Sequence, residues 1–335
     1  MRLRAGIGRY DRTEPLLDGR VSVAGAEVAF ESPPLEELFA RAFDGGEFDI
    51  AELSFSNYLY LTSEGRCDFV ALPIFPSKMF RHSAIYVRTD RGIRGPRDLA
   101  GRLVGVREFS MTAGLVARGV LEDEYGVTAS SIRWRYGRTE TSDSLPIVRV
   151  QPRGVEVESI GPAQNLSDLL RDGEIDALVA YKPPSCFGTP APVRRLFPDH
   201  VAVERDYYAR TGIFPIMHLV GIKRDLAARR PELCRAVCDA FEAAKRAALD
   251  ALEGYGSLTV SLPWAAAHLA DVRQLMGRDS WAYGIEPNRA AIAAVARYSA
   301  SQGLASQVLG IEQLFAPAAL DWTPTHSTDK LSHAR

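Results

Sequence analysis

The sequence predicts an α/β protein of two lobes, each a mixed, mostly parallel sheet flanked by helices, with a ligand cleft between them. Three observations lead there. Short β-branched runs alternate with helical patterns through the first half of the chain, as strands joined by crossover helices do. Two segments repeat one design: "FDIAELS" and "GEIDALVA" each follow a helix that ends in Gly, carry an acid into a short apolar strand, and deliver a polar loop. The chain also has 335 residues, 46% of them apolar, enough to build two cores. In folds of this design ligands sit at the carboxyl ends of the strands, in the gap between lobes.

The elements follow in order. "LRAGIG" and "EVAFES" are strands around a short helical turn at "TEPLLDG". Leu35, Leu38, Phe39, Ala42 and Phe43 recur at helical spacing, and Gly45 and Gly46 stop that helix. "FDIAELS", "FVALPIF" and "SAIYVR" are further strands. The second lobe is expected to open near Gly92, where "RGPRDLAGRLVGV" is a short helix feeding a strand. "SMTAGLVARGVLEDEYGV" is an amphipathic helix ending at Gly126, and "IRWRYG" and "VEVESI" are strands. "NLSDLLRDGEIDALVAY" is helix, turn and strand, with Asn165 or Ser167 as its cap. The polar stretch from Arg138 to Gly154 is an exposed excursion.

The last third is mostly helical. Leu233, Val237, Phe241, Ala244 and Ala248 form one stripe, and "PNRAAIAAVARYSASQGL" is a helix with Pro287 near its first turn. These readings give a first lobe of residues 1–91 plus 204–322, a second of 92–203, and a disordered tail of 323–335.

Composition excludes several classes. A formal net charge of −2 gives no whole-molecule attraction to nucleic acid or anionic membrane. No apolar run approaches the ~18 residues that span a bilayer, and Arg9, Asp11 and Arg12 break any signal-peptide pattern. Cys67, Cys186, Cys234 and Cys238 lack zinc-ligand or redox spacing, which favours buried, reduced thiols in a cytoplasmic protein. Neither a P-loop nor a GxGxxG after a strand is present, against a nucleotide enzyme. The helical C-terminal third offers surfaces for a homodimer or higher homo-oligomer.

"FPSKMFRHSAIY" breaks two strand-like runs with Lys78, Arg81 and His82. A strand connection has no packing need for three cations so close together, so the loop is read as an anion site. Together "YDRTEPLLDGRV", "FDIAELSFSNYL", "LPIFPSKMFRHSAIYV", "GVREFSMTAGLVARGVLEDEYGV", "GEIDAL", "RRLFPD" and "RTGIFPIMHLV" resemble the 4,5-dihydroxyphthalate decarboxylase family, in order and spacing across most of the chain. The resemblance implies a fold like type II periplasmic solute-binding proteins. It also implies a cytoplasmic carboxy-lyase of phthalate breakdown that leaves protocatechuate. One departure stands out: "VAYKPPSCF" places Lys182 where the family tends to carry Arg, a point charge in place of a planar fork.

Decarboxylating a hydroxylated aromatic diacid needs cations for the carboxylates and acid–base groups active near neutrality. Arg81 can grip a carboxylate with two hydrogen bonds, and His82 can move a proton near pH 7. Lys78 either adds positive potential or sits on the loop rim. Tyr10, Asp11 and Arg12 follow the first strand to the mouth of the first lobe. There Arg12 is a second carboxylate anchor, and Asp11 either orients it or caps the next turn. Glu52, an acid at an apolar strand end, is a general acid or base, a partner of His82 or Arg81, or an ion pair without catalytic role. Ser54 and Ser56 are ligand donors or turn residues. Ser110 and Thr112 open a helix, as an anion site or as its cap. His218 is a second acid–base group or a core histidine, and Arg210 and Thr211 reach toward the cleft edge. Lys182 and Ser185 complete the substrate-binding set.

No cofactor is expected. Glu52, His82 and His218 would form a His₂-carboxylate divalent-metal site if they converged, but no HxH, HxxE or HExxH spacing asks for one. The leading expectation is therefore a lyase acting on a small aromatic dicarboxylate. A solute-binding protein for an aromatic acid, or a related lyase for a different ring, are the alternatives.

Overall fold

The computed structural model describes residues 2–143, 148, 150–253 and 260–324. Eleven strands among them form two sheets. The first has the order β2-β1-β3-β11-β4, built from β1 (Arg2–Gly6), β2 (Glu27–Glu31), β3 (Ile50–Ser54), β4 (Phe69–Lys78) and β11 (Ile216–Lys223). β1 runs parallel to β2 and β3, whereas β11 lies antiparallel between β3 and β4. The second has the order β10-β5-β9-β6-β7-β8, from β5 (Ile85–Arg88), β6 (Leu103–Val106), β7 (Arg133–Tyr136), β8 (Val157–Ser159), β9 (Ala177–Val179) and β10 (Val193–Arg195). Here β9, β6, β7 and β8 are parallel, and β5 is antiparallel to both of its neighbours.

The helices are α1 (Glu14–Leu17), α2 (Leu35–Phe43), α3 (Phe55–Ser63), α4 (Thr112–Tyr125), α5 (Leu166–Asp172), α6 (His200–Thr211), α7 (Arg224–Arg229), α8 (Pro231–Leu252), α9 (Ala265–Met276), α10 (Arg289–Ser301) and α11 (Ile311–Leu314). α2 and α8 bury the stripes their spacing predicts: Leu38, Phe39 and Ala42 in one, Leu233, Val237, Phe241 and Ala244 in the other. α4 ends where Gly126 takes a left-handed conformation, closed to most side chains. Asn165, not Ser167, caps α5 by accepting the Asp168 N–H.

The sheets revise the lobe boundaries. β5 pairs with β9 and β10, so the chain crosses to the second sheet between Lys78 and Ile85, not near Gly92. It returns after β10 through α6, within which the expected boundary at 204 falls. α6 buries only Tyr207, so it has no apolar stripe to announce it. The expected disordered tail lies, from 325 onward, outside the described residues, as does part of the excursion between 138 and 154.

Packing ties the lobes together. Arg118 of α4 is fully buried, stacked 3.8 Å from the Phe109 ring centroid, and donates to Gln302 just after α10. Gln302 returns a bond to Leu115 O, and Asp123 accepts from Tyr298 and Arg297. No described helix is long and apolar enough to cross a membrane.

Candidate functional site

β3 is buried along its whole length, and its Glu52 side chain is fully enclosed. An ionised carboxylate is tolerated in such a place only when its lone pairs are occupied. Three donors meet that need: Gly8 N–H at 2.8 Å, Tyr10 O–H at 2.8 Å and His218 Nδ1 at 2.6 Å. Burial, and then the Glu52 charge, push the Tyr10 hydroxyl far above its usual range, so it stays a donor. His218 sits on β11 with Phe39 edge-on at 4.9 Å, and its Nε2 has no protein partner among the described residues. The Glu52 contact sets the tautomer: Nδ1 is held, and Nε2 is left for chemistry.

His218 and Tyr10 face a cavity of about 260 Å³ between the lobes, which Ser54, Thr112 and Arg81 also line. Arg81 lies on the crossing segment, and its Nε donates to the Met217 sulfur at 3.1 Å. Its two terminal amino groups have no acceptor among the described residues. Burial pushes the guanidinium down to about 10, opposed by Glu204. A buried cation without an acid in contact, beside a cavity, is suited to hold an anion. Ser54 Oγ and Thr112 Oγ1 line the cavity from the two lobes 3.0 Å apart, and Thr112 also accepts the Ser56 N–H.

The other predicted residues go elsewhere. His82 points away from this cavity into a cage of Phe197 and Tyr207, 1% exposed, with neither ring nitrogen hydrogen-bonded. Burial lowers it to about 4, which makes it a neutral core histidine and corrects the proton-donor expectation. Lys78 is buried too, tying β4 to the C-terminal segment through Ala282 O (2.8 Å) and Asn288 Oδ1 (2.6 Å). Arg210 pairs with Asp206 and Glu124 on the outside of α6. Lys182 pairs with Asp143 at 3.1 Å, and Ser185 is held by Glu140 and Ser167. Ser110 donates to Glu108, so it is neither a cavity donor nor the cap of α4.

Arg12 is sandwiched between the Tyr10 and Trp281 rings, at 4.3 and 4.1 Å, and bonded to Pro76 O and Asp11. It therefore braces Tyr10, and Asp11 orients it. Both border a larger apolar groove of about 400 Å³ beside α8 and α9. Charges there are already matched, Arg12 with Asp11 and Lys245 with Asp279, and the Glu52–His218 pair does not face it. We place the site in the interlobe cavity for that reason.

The same cavity holds residues that spacing did not single out: Glu36, Arg107, Tyr181, Met79, Met111 and Met217. Arg107, buried at the end of β6, pairs with Glu36 of α2 and donates to the Tyr181 hydroxyl at 3.1 Å. Arg107 lies inside the quoted "GVREFSM", but only its meeting with Glu36, 71 residues away in sequence, marks it. Glu52 and His218 are not joined by His82, so the three-ligand metal set is not assembled. Among the described residues no group of three or more His, Cys, Asp or Glu is placed to hold a metal ion.

Comparison with known proteins agrees with this architecture. The periplasmic aliphatic sulphonate binding protein SsuA from Escherichia coli matches with a TM-score of 0.52 at 15% identity, over 100% of this chain and 96% of that one. A putative periplasmic sulfonate-binding protein from Methylobacillus flagellatus gives 0.51 at 12% identity, over 98% and 99%. At such identities the likeness is one of fold. No protein-family profile matches the chain. In sequence, it is 40% identical over 210 residues to a 4,5-dihydroxyphthalate decarboxylase from Pseudomonas putida, covering 62% of this chain and 81% of that one. A protein of the same name from Comamonas testosteroni is 39% identical over 323 residues, covering 96% of this chain and 98% of the relative. A two-lobed fold shared with solute-binding proteins, matched nearly end to end by that relative, makes this chain a member of the 4,5-dihydroxyphthalate decarboxylase family.

Proposed function

We propose that the interlobe cavity decarboxylates a hydroxylated aromatic dicarboxylate, 4,5-dihydroxyphthalate first among them, to protocatechuate and CO2. One observation carries the reading: the Glu52–His218 pair faces the same cavity as Arg81, a cation with no acid in contact. Arg81, the Met217 bonded to it and His218 all line this cavity, so anion anchor and proton donor share one space.

In this substrate each carboxylate is para to a ring hydroxyl. Electron density from that hydroxyl raises the basicity of the carbon bearing the carboxylate. Protonated His218 delivers its Nε2 proton to that carbon, the C–C bond breaks, and its electron pair restores the aromatic ring as CO2 leaves. One proton enters per turnover, and solvent returns it to His218. Glu52 stabilises the charged imidazole, and Arg81 holds a carboxylate by paired hydrogen bonds. The hydroxyls of the ring supply the electron push, so the reading includes neither cofactor nor metal. A pure binder would need the cation but not a buried carboxylate holding a histidine, so a solute-binding role is not favoured.

The reading places the protein in the cytoplasm, where its four free cysteines would stay reduced. It includes a homo-oligomer, with the exposed Val260, Leu262 and Trp264 beside α9 as the available apolar edge, and light scattering measures that state directly. The deciding experiment incubates metal-stripped protein with 4,5-dihydroxyphthalate and follows CO2 and protocatechuate. Turnover that is lost in His218→Gln while the substrate still binds supports the reading. Wild-type protein that binds without turnover, even with divalent metals restored, overturns it.

A further inference from the structure

We propose that Glu36, Arg107 and Tyr181 form the receptor for the hydroxyl end of the substrate, and that Glu36 takes the proton from the hydroxyl para to the departing carboxylate. The inference rests on the decarboxylase reading and deepens it, because that reading leaves open what removes the hydroxyl proton.

Charge distinguishes the two arginines that line the cavity. Arg81 has no acid in contact, whereas Arg107 is paired with Glu36. A second substrate carboxylate beside Glu36 would meet a like charge. Ring hydroxyls are instead neutral donors, and a carboxylate accepts them well. Tyr181 already gives its hydroxyl to Glu36 at 3.4 Å while accepting from Arg107 at 3.1 Å, so Glu36 accepts from one phenolic O–H in the absence of substrate.

Topology explains why these three meet. β6 and β9 are parallel neighbours with Val106 opposite Val179. Arg107 and Tyr181 therefore leave adjacent strands at their carboxyl ends, where α/β sheets place ligands. Glu36 arrives from the first turn of α2 in the other lobe. The cluster thus exists only while the lobes face each other closely, as does the Ser54–Thr112 contact.

The step balances. The para O–H bond breaks and its proton moves to a Glu36 oxygen, while the electron pair enters the ring. The ring carbon takes the Nε2 proton of His218, CO2 departs, and the pair left behind restores aromaticity. Glu36 then returns its proton to the phenolate. A negative charge stands beside Arg107 on Glu36 at the start and on the phenolate once the proton has moved. It is neutralised while the ring carbon carries the His218 proton and returns to that oxygen as CO2 leaves, so the guanidinium stabilises the charged states without moving.

Two diacids test this: 4,5-dihydroxyphthalate, and phthalate, which lacks both hydroxyls. Glu36→Gln should lower kcat at least ~100-fold while the inhibition constant for phthalate changes less than ~3-fold. Glu36→Asp should recover part of kcat. Arg81→Gln should weaken phthalate at least ~10-fold. By calorimetry, Glu36→Gln should also erase the wild-type preference for the dihydroxy diacid over phthalate. Wild-type kcat in Glu36→Gln, or phthalate weakened there as much as in Arg81→Gln, overturns the inference. Wild-type protein that binds but never turns over sinks the decarboxylase reading instead, and the calorimetric preference still decides the receptor.

Discussion

Glu52 and His218 meet diagonally across the β3–β11 ladder. The Cα partner of Glu52 is Val220 and that of His218 is Ser54, yet Glu52 Oε1 reaches His218 Nδ1 at 2.6 Å. Alternation puts residues 52 and 54 on one face of β3 and their partners 220 and 218 on the same face of β11. Two antiparallel strands thus hold an acid and an imidazole in one orientation, with no loop between them to relax it.

That rigidity makes Glu52→Gln informative. The amide still fills the space and can accept the Gly8 N–H, but it carries no charge to stabilise protonated His218. We expect kcat to fall about 100-fold with KM nearly unchanged. Steady-state kinetics reporting an unaltered kcat would remove Glu52 from the mechanism.

His82 gives the opposite expectation. Its imidazole is held at about 4 by burial, against about 6.5 in the unfolded chain. Between those values the unfolded chain binds the extra proton, so stability falls as pH drops through that window, by up to about 3 kcal/mol. His82→Leu removes two unpartnered nitrogens and should keep kcat while flattening the loss of Tm from pH 6.5 to 4. Loss of turnover in that variant, with the fold intact, would restore His82 to the chemistry.

Lys78 is held down at about 7 by burial, although it has two acceptors. Its unfolded value is about 10.4, so between pH 7 and 10 the unfolded chain binds more protons and stability rises with pH. Lys78→Met should flatten that rise and leave KM for the diacid within about 3-fold, since the ammonium does not face the cavity. A KM raised tenfold or more would return Lys78 to the substrate site.

Gly119 lies where α4 crosses the Tyr298 ring, and an added Cβ would come within 2.3 Å of it. Gly119→Ala must therefore push α4 from α10 and strain the bond from Tyr298 to Asp123, for a loss of about 1–3 kcal/mol. Denaturant unfolding measures this directly, and a variant as stable as wild type would show that the two helices can slide.

Much of this protein was legible in its sequence. The alternation of strands and helices, the two Gly-stopped helices feeding acid-bearing strands, and the apolar stripes of α2 and α8 follow from local periodicity, which depends on near neighbours. Glu52 was nameable as an acid at an apolar strand end, Arg81 as a cation in a strand connection that has no packing need for one, and His218 through the family signature "RTGIFPIMH". The tertiary structure decided where side chains point and what they meet. Lys78, at the end of β4, and Arg81 and His82 just beyond it part in three directions, to the C-terminal segment, the cleft and an aromatic cage. Glu36, Arg107 and Tyr181 have nothing in common along the chain and meet because two parallel strands end together beneath a helix of the other lobe. Residue type and spacing set which groups are capable of chemistry. Burial and long-range pairing choose among them, because a charge or an imidazole acts only where packing leaves it facing a ligand instead of a neighbour.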